Sequence, residues 1–443
     1  MQTLKVQITG SGSELQGVGR LPDGRAVFVR GALPGETVLI ELTREAPRFA
    51  EARLLEVIEA SAERRESDCP YANHCGGCAA RHMSYACSLA LKRQRVLDAL
   101  TRLGGVADAH VADTLPSPKL NRYRNKAEYA LQFAHGQLQA GYCAAGSHHV
   151  VDVDDCMLQH PLSVKALNWL HRDLPKRACA SHIKYLVTRV NRDGALCVVL
   201  CGDAPVQNEA LQMAQTLKHA LPELESAHFC RLRQRPAHAL DGACSCLLGP
   251  STMNDRLLDL EFELSPQSFF QVNPEQTEAL YQLALDAAQL RPSMRLLDVY
   301  CGAGPISLAA ARMGAQVTGV EIVAPAVENA KRNARRNGLA NRAHFICGDA
   351  AHETPRLIAS GQRFDAAIID PPRRGADAAT LNALADAELA RIVYVSCNPS
   401  TLARDVKLLC ARGYALEWAR PVDMFPWTEH VETVVLLCAA LRN

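Results

Sequence analysis

The sequence predicts an α/β protein in three parts: an N-terminal OB-like β barrel, a central mainly antiparallel β domain with a metal-cluster loop, and a C-terminal Rossmann-like domain. Three observations carry this. Short strands broken by turns fill the first segment, cysteines at metal-ligand spacing follow it, and strands alternate with helices from residue 266 onward. At roughly 100–200 residues per domain, 443 residues that are 48% apolar and 21% charged can build several full cores. The formal net charge of +1 means that any polyanion must be held by a local patch rather than by the field of the whole chain.

In the first part, strands are expected at Leu4–Ile8, Ala26–Arg30, Val38–Leu42 and Arg53–Ile58, with a further stretch over Gly10–Gly19. Pro22-Asp23-Gly24 is a hairpin turn, because proline presets one torsion and glycine accepts a positive one. Ser61 to Arg65 is polar and charged, as a linker would be, and bounds a barrel of residues 1–62. The central part, 63–265, opens with the cysteines. Met83–Leu103 then sets Leu89, Val96, Leu97 and Leu100 on a helical period that stops at Gly104-Gly105. Alternating stretches at Tyr129–Phe133, Tyr185–Val190 and Ala195–Leu200 predict a largely antiparallel sheet with few helices.

The last part, 266–443, runs helix Pro274–Leu290, strand Arg295–Tyr300, helix Ser307–Met313, strand Gln316–Glu321, helix Ala324–Asn337, and strands His344–Ile346 and Ala366–Asp370. Its first strand enters Cys301-Gly302-Ala303-Gly304, where glycines let the backbone approach a ligand and a helix start offers free N–H groups. Pro305 follows directly and removes one of those N–H groups. Glu321, at the end of the next strand, can accept both hydroxyls of a ribose, and Asp349 ends a third strand where an adenine edge would lie. Asp370-Pro371-Pro372-Arg373 closes the fourth, its prolines stiffening the loop that holds Asp370 at the sheet edge.

Ile392 to Ser396 reads as a buried strand that delivers Cys397 to the same edge, and His430-Val431-Glu432-Thr433 precedes the apolar run Val434–Leu437. Most buried cysteines are inert small apolar groups, and a carboxylate ahead of a core strand is often a solvated turn residue. Position favours chemistry here. Beside Arg404 and the helix start near Thr401, Cys397 is expected to have a lowered pKa and act as a nucleophile. Glu432, if it faces the pocket, is a proton acceptor.

Ser268-Phe269-Phe270-Gln271-Val272-Asn273-Pro274, Asp298-Val299-Tyr300-Cys301-Gly302, Asp370-Pro371-Pro372-Arg373, Ser396-Cys397-Asn398-Pro399 and His430-Val431-Glu432-Thr433 resemble, in order, the motifs of the RNA uracil-5-methyltransferase family. That resemblance implies a C-terminal methyltransferase domain that uses S-adenosylmethionine. Cys397 is its implied nucleophile and Glu432 its general base, with Gln271, Tyr300, Glu321, Asp349 and Asp370 as cofactor-binding residues. The chemistry is coherent. Carbon 5 of uracil is a poor nucleophile until a thiolate adds to carbon 6, and a base must later take the carbon 5 proton so that the thiol can leave. Enzymes that methylate exocyclic nitrogens carry an aromatic residue after the two prolines, whereas Arg373 stands here.

Cys69-x5-Cys75-Gly76-Gly77-Cys78 offers three thiolates on one tight loop, a spacing that suits zinc or iron–sulfur equally. Resemblance to the iron–sulfur members of the family implies a [4Fe–4S] cluster with Cys156 as distant fourth ligand, and Cys87 is the rival. The first residues resemble the TRAM module, an OB-like barrel. Barrel and cluster together accompany the branch that acts on 23S ribosomal RNA, which is therefore the implied partner. A transfer RNA target, or a non-catalytic RNA-binding assembly factor on the same scaffold, are the alternatives.

Two rows of cations suit RNA phosphates: Lys119, Arg122, Arg124 and Lys126 around Tyr123, with the last three expected along one strand face, and Arg231, Arg233 and Arg235. A target uridine must be unstacked or flipped out, and Phe269 or Phe270 is a candidate wedge. No apolar run approaches the ~18–20 residues of a bilayer span. The first residues lack the basic-then-apolar pattern of a secretory signal. A cytoplasmic monomer without membrane contact is expected, its seventeen cysteines reduced, since an odd count does not complete a disulfide framework.

Overall fold

A computed structural model describes residues 3–134 and 137–440. The first sheet is a closed barrel of β1 (Thr3–Ser11), β2 (Gly17–Arg20), β3 (Ala26–Arg30), β4 (Thr37–Glu45) and β5 (Phe49–Glu59), joined in the order β1-β2-β3-β5-β4. Alternation along the strands turns Val6, Ile8, Val27, Val29, Val38 and Ile40 inward to fill it. Gly19 is required where the wall closes, since a Cβ there would lie 2.5 Å from the Val6 side chain. The expected turn is present, with the Gly24 N–H on the Leu21 carbonyl at 2.9 Å.

Ser61 to Arg65 is not a free linker. The Arg64 guanidinium donates to Glu36 Oε2 at 2.7 Å and to the Gly31 carbonyl at 2.6 Å, and the buried Glu36 carboxylate also accepts the Leu33 N–H at 2.8 Å. The segment is thereby stitched to the barrel. The predicted helix exists as α1 (Tyr85–Asp98), continued by a π-helical turn over Ala99–Leu103. Its Val96 and Leu100 pack into the core of the C-terminal sheet, together with Val299, Ile369 and Tyr394.

The central sheet is built from β6 (Lys126–Ala134), β7 (Gln137–Cys143), β8 (Val150–Asp152), β9 (Ile183–Val190), β10 (Leu196–Gly202), β11 (Leu224–Leu232) and β12 (Gly242–Leu248), with α2 (Pro161–Asp173) and α3 (Gln207–Ala220) packed against it. Its order is β12-β11-β10-β9-β6-β7-β8. The sheet is antiparallel except for β10 and β11, which pair in parallel through the α3 crossover. Every residue of β10 is buried, as expected of a strand covered on both faces.

Hairpin β13 (Met253–Leu257) and β14 (Leu260–Leu264) leads to α4 (Pro274–Ala288) and the third sheet. There β15 (Arg295–Val299), α5 (Pro305–Arg312), β16 (Gln316–Glu321), α6 (Ala324–Arg336), β17 (Ala343–Cys347), α7 (Ala350–Ala359), β18 (Ala366–Ile369), α8 (Ala378–Asp386), β19 (Arg391–Ser396) and α9 (Pro399–Ala411) alternate, before β20 (Tyr414–Val422) and β21 (Glu432–Ala439) close the edge. The order β17-β16-β15-β18-β19-β21-β20 is parallel up to β19 and antiparallel beyond. All the parallel strands therefore deliver their carboxyl ends to one edge. A ligand crevice belongs there in an open sheet of this kind.

Candidate functional site

Cys397 follows β19, and the turn it occupies is fixed from both sides. Asn398 caps α9 by accepting the Ser400 N–H at 3.1 Å, and its side-chain amide donates to the Arg373 carbonyl at 3.0 Å. The Thr401 hydroxyl donates to the same carbonyl at 3.2 Å. The loop after Asp370 and the turn at Cys397 are thus locked together. Strand β21 runs back beside β19 with Ser396 opposite Thr433, so Cys397 and Glu432 are the next positions on each strand.

Glu432 is only 4% exposed. Burial and the neighbouring Asp370 charge push its carboxyl up to about 8, against the opposing pull of Arg373. Asp370 is itself raised to about 7 by burial and by Asp298. Burial first, then Glu432 and Asp370, push the Cys397 thiol up to about 11. This corrects the expectation of a lowered pKa, and its cause is visible. Arg404 is committed elsewhere, donating to Asp405 Oδ1 at 2.7 Å and to the Arg374 carbonyl at 3.0 Å, while the cation that acts on the thiol is Arg373. Tyr281 lies under the same edge, where it meets the Gln271 side chain and the charges of Asp370 and Glu432.

The glycine loop after β15 forms a cradle. Tyr300 has φ +68°, Gly302 φ +55° and Gly304 φ +85°, and a Cβ on Gly302 would meet nothing within 4 Å. Glu321 spans the cradle, accepting the Gly302 N–H at 3.1 Å and the Val323 N–H at 2.8 Å. Asp349 caps α7 through the Ala351 N–H at 3.0 Å. Pro305 takes the first position of α5, where its missing N–H would have had no partner within the helix.

Asp298 and one apolar step at this edge lie outside the predicted site set. One oxygen of Asp298 accepts from Ser307 at 2.5 Å, while the other is buried without a partner, and burial raises the carboxyl to about 7. The hydroxyl of the predicted residue Tyr300 is buried near Thr380 and the Asp377 backbone. Ile322 is 59% exposed beside Glu321, and Val323 is exposed next to it. An exposed apolar pair after a strand carries no sequence signal, but Asp298 had one: a carboxylate in the apolar run of β15.

The four predicted ligand cysteines come from two segments that meet. Cys75 bridges to Ala144, the Gly76 N–H donates to the Cys143 carbonyl at 3.0 Å, and the Tyr71 hydroxyl bonds Asp154. Cys69 and Cys156 both bear on Cys75, and Cys75 and Cys156 on Cys78, as charges that raise the thiols, although burial is the largest cause in each case. Cys87 packs against Leu15, Leu33, Ala80 and Met83. Gly76 is needed for backbone approach, since a Cβ there would lie 2.8 Å from the Cys143 carbonyl. Among the described residues no group of three or more His, Cys, Asp or Glu is arranged so that it could hold a metal ion.

The first cationic row is not an exposed strand face. Lys119 pairs with Glu275, Arg122 with Asp155 at 2.6 Å and Lys126 with Glu128 at 2.6 Å; Tyr123 is buried, and Arg124 stacks over Phe425 at 5.5 Å. Three of the row's four cations are thus ion-paired within the protein. In the second row, Arg231, Arg233 and Arg235 are exposed; Arg233 lies 3.3 Å from Asp241, and Arg231 and Arg233 line an open cleft with His182, Asp203 and Gln234. Phe270 is core, packed on Phe262, whereas Phe269 is 77% exposed. The Ser268 carbonyl next to Phe269 is held by Arg189 at 2.8 Å.

Comparison with known proteins matches residues 85–440 to the tRNA (uracil-5-)-methyltransferase family and residues 1–55 to the TRAM domain. An uncharacterized RNA methyltransferase of Caldanaerobacter subterraneus is 40% identical over 98% of this chain and 97% of its own, and one of Halalkalibacterium halodurans is 38% identical over 94% and 92%. The crystal structure of Pyrococcus abyssi tRNA (uracil-54, C5)-methyltransferase with S-adenosyl-L-homocysteine superposes with a TM-score of 0.77 at 25% identity, covering 98% of this chain and 100% of that one. No helix among the described residues is long and apolar enough to cross a membrane. With an α/β sheet that gathers these side chains at one edge, and with a TRAM barrel in front of it, the chain belongs to the tRNA (uracil-5-)-methyltransferase family and is an S-adenosylmethionine-dependent RNA methyltransferase.

Proposed function

We propose that the protein methylates carbon 5 of a uridine in 23S ribosomal RNA, through a covalent bond between Cys397 and carbon 6 of the base. The observation that carries this reading is the convergence of Cys397, Glu432 and Asp370 at one sheet edge. The cofactor, when bound, supplies an electrophilic methyl on a cationic sulfur. A pocket lined by groups that resist ionisation is matched to a cation, because a positive charge favours their charged forms. Cys397 then adds to carbon 6 as thiolate, and the electron pair moves through carbon 5 toward the carbonyl oxygen at carbon 4. Carbon 5 takes the methyl, Glu432 accepts the carbon 5 proton, and breakage of the sulfur–carbon bond returns the thiolate.

The cofactor set fits the same edge. A carboxylate has about four acceptor positions, so Glu321 can keep its two backbone N–H partners and still take ribose hydroxyls. Ile322 gives an apolar shelf for adenine, Asp349 its polar edge, and Gln271, Tyr300 and Asp370 line the remainder. Phe269 is the wedge that fills the place of the flipped base, and Arg231, Arg233 and Arg235 meet phosphates.

Cys69, Cys75, Cys78 and Cys156 are the residues that would hold a [4Fe–4S] cluster between the loop before α1 and the segment after β8, although their thiols do not form a ready metal site among the described residues. The meeting of the Cys75–Gly76 turn with Cys143 and Ala144 supports this set, because it brings the two cysteine-bearing segments together. Iron and sulfide analysis of anaerobically purified protein is expected to give four of each, reduced sharply in Cys156→Ser. The ribosomal target rests on the barrel and the thiol loop together; a transfer RNA target is favoured by the Pyrococcus abyssi neighbour. Mapping of 5-methyluridine in cells with and without the protein decides: loss from 23S ribosomal RNA is expected, and loss from transfer RNA alone would replace the target.

A further inference from the structure

The turn between β20 and the strand of Glu432 is held by a clamp that none of these steps uses. In register Glu432 pairs with Val422 of β20, and the next residue, Asp423, is fully buried. Lys92 of α1, also without solvent exposure, donates to Asp423 Oδ1 at 2.5 Å and to the Phe425 carbonyl at 3.2 Å. The Tyr85 hydroxyl donates to Asp423 Oδ2 at 2.7 Å and accepts the Ser117 N–H at 2.9 Å. Farther along the same turn, Arg95 donates to the Glu429 carbonyl at 2.8 Å, and the N–H groups of Ala79 and Ala80 both reach the Trp427 carbonyl, at 2.9 and 3.0 Å.

The turn needs this support. Trp427 sits at φ +68°, a conformation that a bulky residue keeps only where its surroundings over-determine it. A buried lysine–aspartate pair adds little net stability, because desolvation offsets the attraction, and burial indeed pulls the Lys92 ammonium down while Asp423 holds it up. What the pair fixes is geometry, one residue from the cross-strand partner of Glu432.

We propose that Lys92 is a positioning residue for Glu432, acting through Asp423 and the Phe425 carbonyl. This rests on Glu432 being the proton acceptor. Attack by Cys397 and methyl transfer precede proton removal, so a loosened clamp slows only the last step and leaves methylated RNA joined to the protein.

The test uses full-length wild type, Lys92→Met and the volume-conserving Asp423→Asn, RNA extracted from cells lacking the protein, and S-adenosylmethionine labelled in its methyl. In a single turnover, the variants are expected to transfer methyl at a rate within about twofold of wild type, while release of free methylated RNA falls at least ~10-fold, a part of the ~10²–10⁴ attributed to a positioned base. A labelled, denaturant-stable protein–RNA species accumulates in its place. Circular dichroism and thermal unfolding check that the variants are folded. If transfer and release fall together in the folded variants, if both stay at the wild-type level, or if neither variant folds, Lys92 is structural and the inference is overturned. Wild type with 5-fluorouridine RNA runs alongside: absence of a Cys397 adduct there defeats the functional reading itself, whereas its presence with unimpaired release in Lys92→Met defeats this inference alone.

Discussion

Cys397 stands one residue beyond Ser396 and Glu432 one residue before Thr433, and since Ser396 and Thr433 are opposed across β19 and β21, thiol and carboxylate come to lie side by side. The carboxylate is one reason that the thiol is pushed up to about 11, after burial itself. A nucleophile whose ionisation is opposed by the base beside it makes separable predictions.

Glu432→Gln removes the proton acceptor and one charge that opposes the thiolate. Turnover should fall by ~10²–10⁴, the usual worth of general base catalysis. Methyl transfer should survive in a single turnover, and methylated RNA should stay bound to protein through denaturing electrophoresis. Loss of transfer as well as release would remove Glu432 from this role.

The pH dependence follows from the same groups. With Glu432 raised to about 8 and Cys397 to about 11 in the free protein, kcat/KM should climb steadily from about pH 6 to pH 9. Stability moves the other way. A carboxyl whose folded pKa is raised binds its proton more tightly in the folded state, so stability falls as pH rises from the unfolded value toward about 8. Glu432→Gln should therefore raise Tm relative to wild type near pH 8.5 and have little effect near pH 5, read by calorimetry.

Glu321→Ala deletes the carboxylate across the glycine cradle and leaves the Gly302 and Val323 N–H groups without it. Hydrogen bonds to a charged group are worth ~1.5–3 kcal/mol, so cofactor Kd by calorimetric titration should rise ~10–100-fold while RNA affinity holds. An unchanged Kd would take Glu321 out of the cofactor site.

Arg231, Arg233 and Arg235 are assigned to phosphates, so replacing all three by alanine should weaken RNA binding at low salt. The slope of log K against log salt should become shallower by ~0.7 for each phosphate that is no longer neutralised. Lys119→Ala and Arg122→Ala, each removing a cation paired to a carboxylate at 2.5–2.6 Å, should change that slope less than loss of Arg231 and Arg235.

Much of this was legible because local chemistry and final geometry agree. Proline and glycine marked the turns at Pro22 and Gly304, and the strands carrying Asp298, Glu321, Asp370 and Cys397 read as apolar runs that end in polar residues. What could not be read were properties that depend on long-range partners. Nothing near Arg122 in sequence announces Asp155, so its charge looked free; nothing near Cys397 announces that Arg404 turns to Asp405 while Glu432 and Asp370 arrive instead. Helix α3 escaped notice because the buried strands on either side of it look alike in sheets with or without a crossover. The clamp of Lys92 on Asp423 joins residues 331 apart in the chain, beyond any spacing argument.

Trapping on 5-fluorouridine RNA tests the central claim most directly, because fluorine at carbon 5 cannot leave as a proton and the adduct is arrested. With S-adenosylmethionine present, wild type should form a denaturant-stable complex in which mass spectrometry places the methylated base on the peptide containing Cys397, and Cys397→Ala should form none. Methylated RNA produced without any such complex, or by Cys397→Ala, would contradict it.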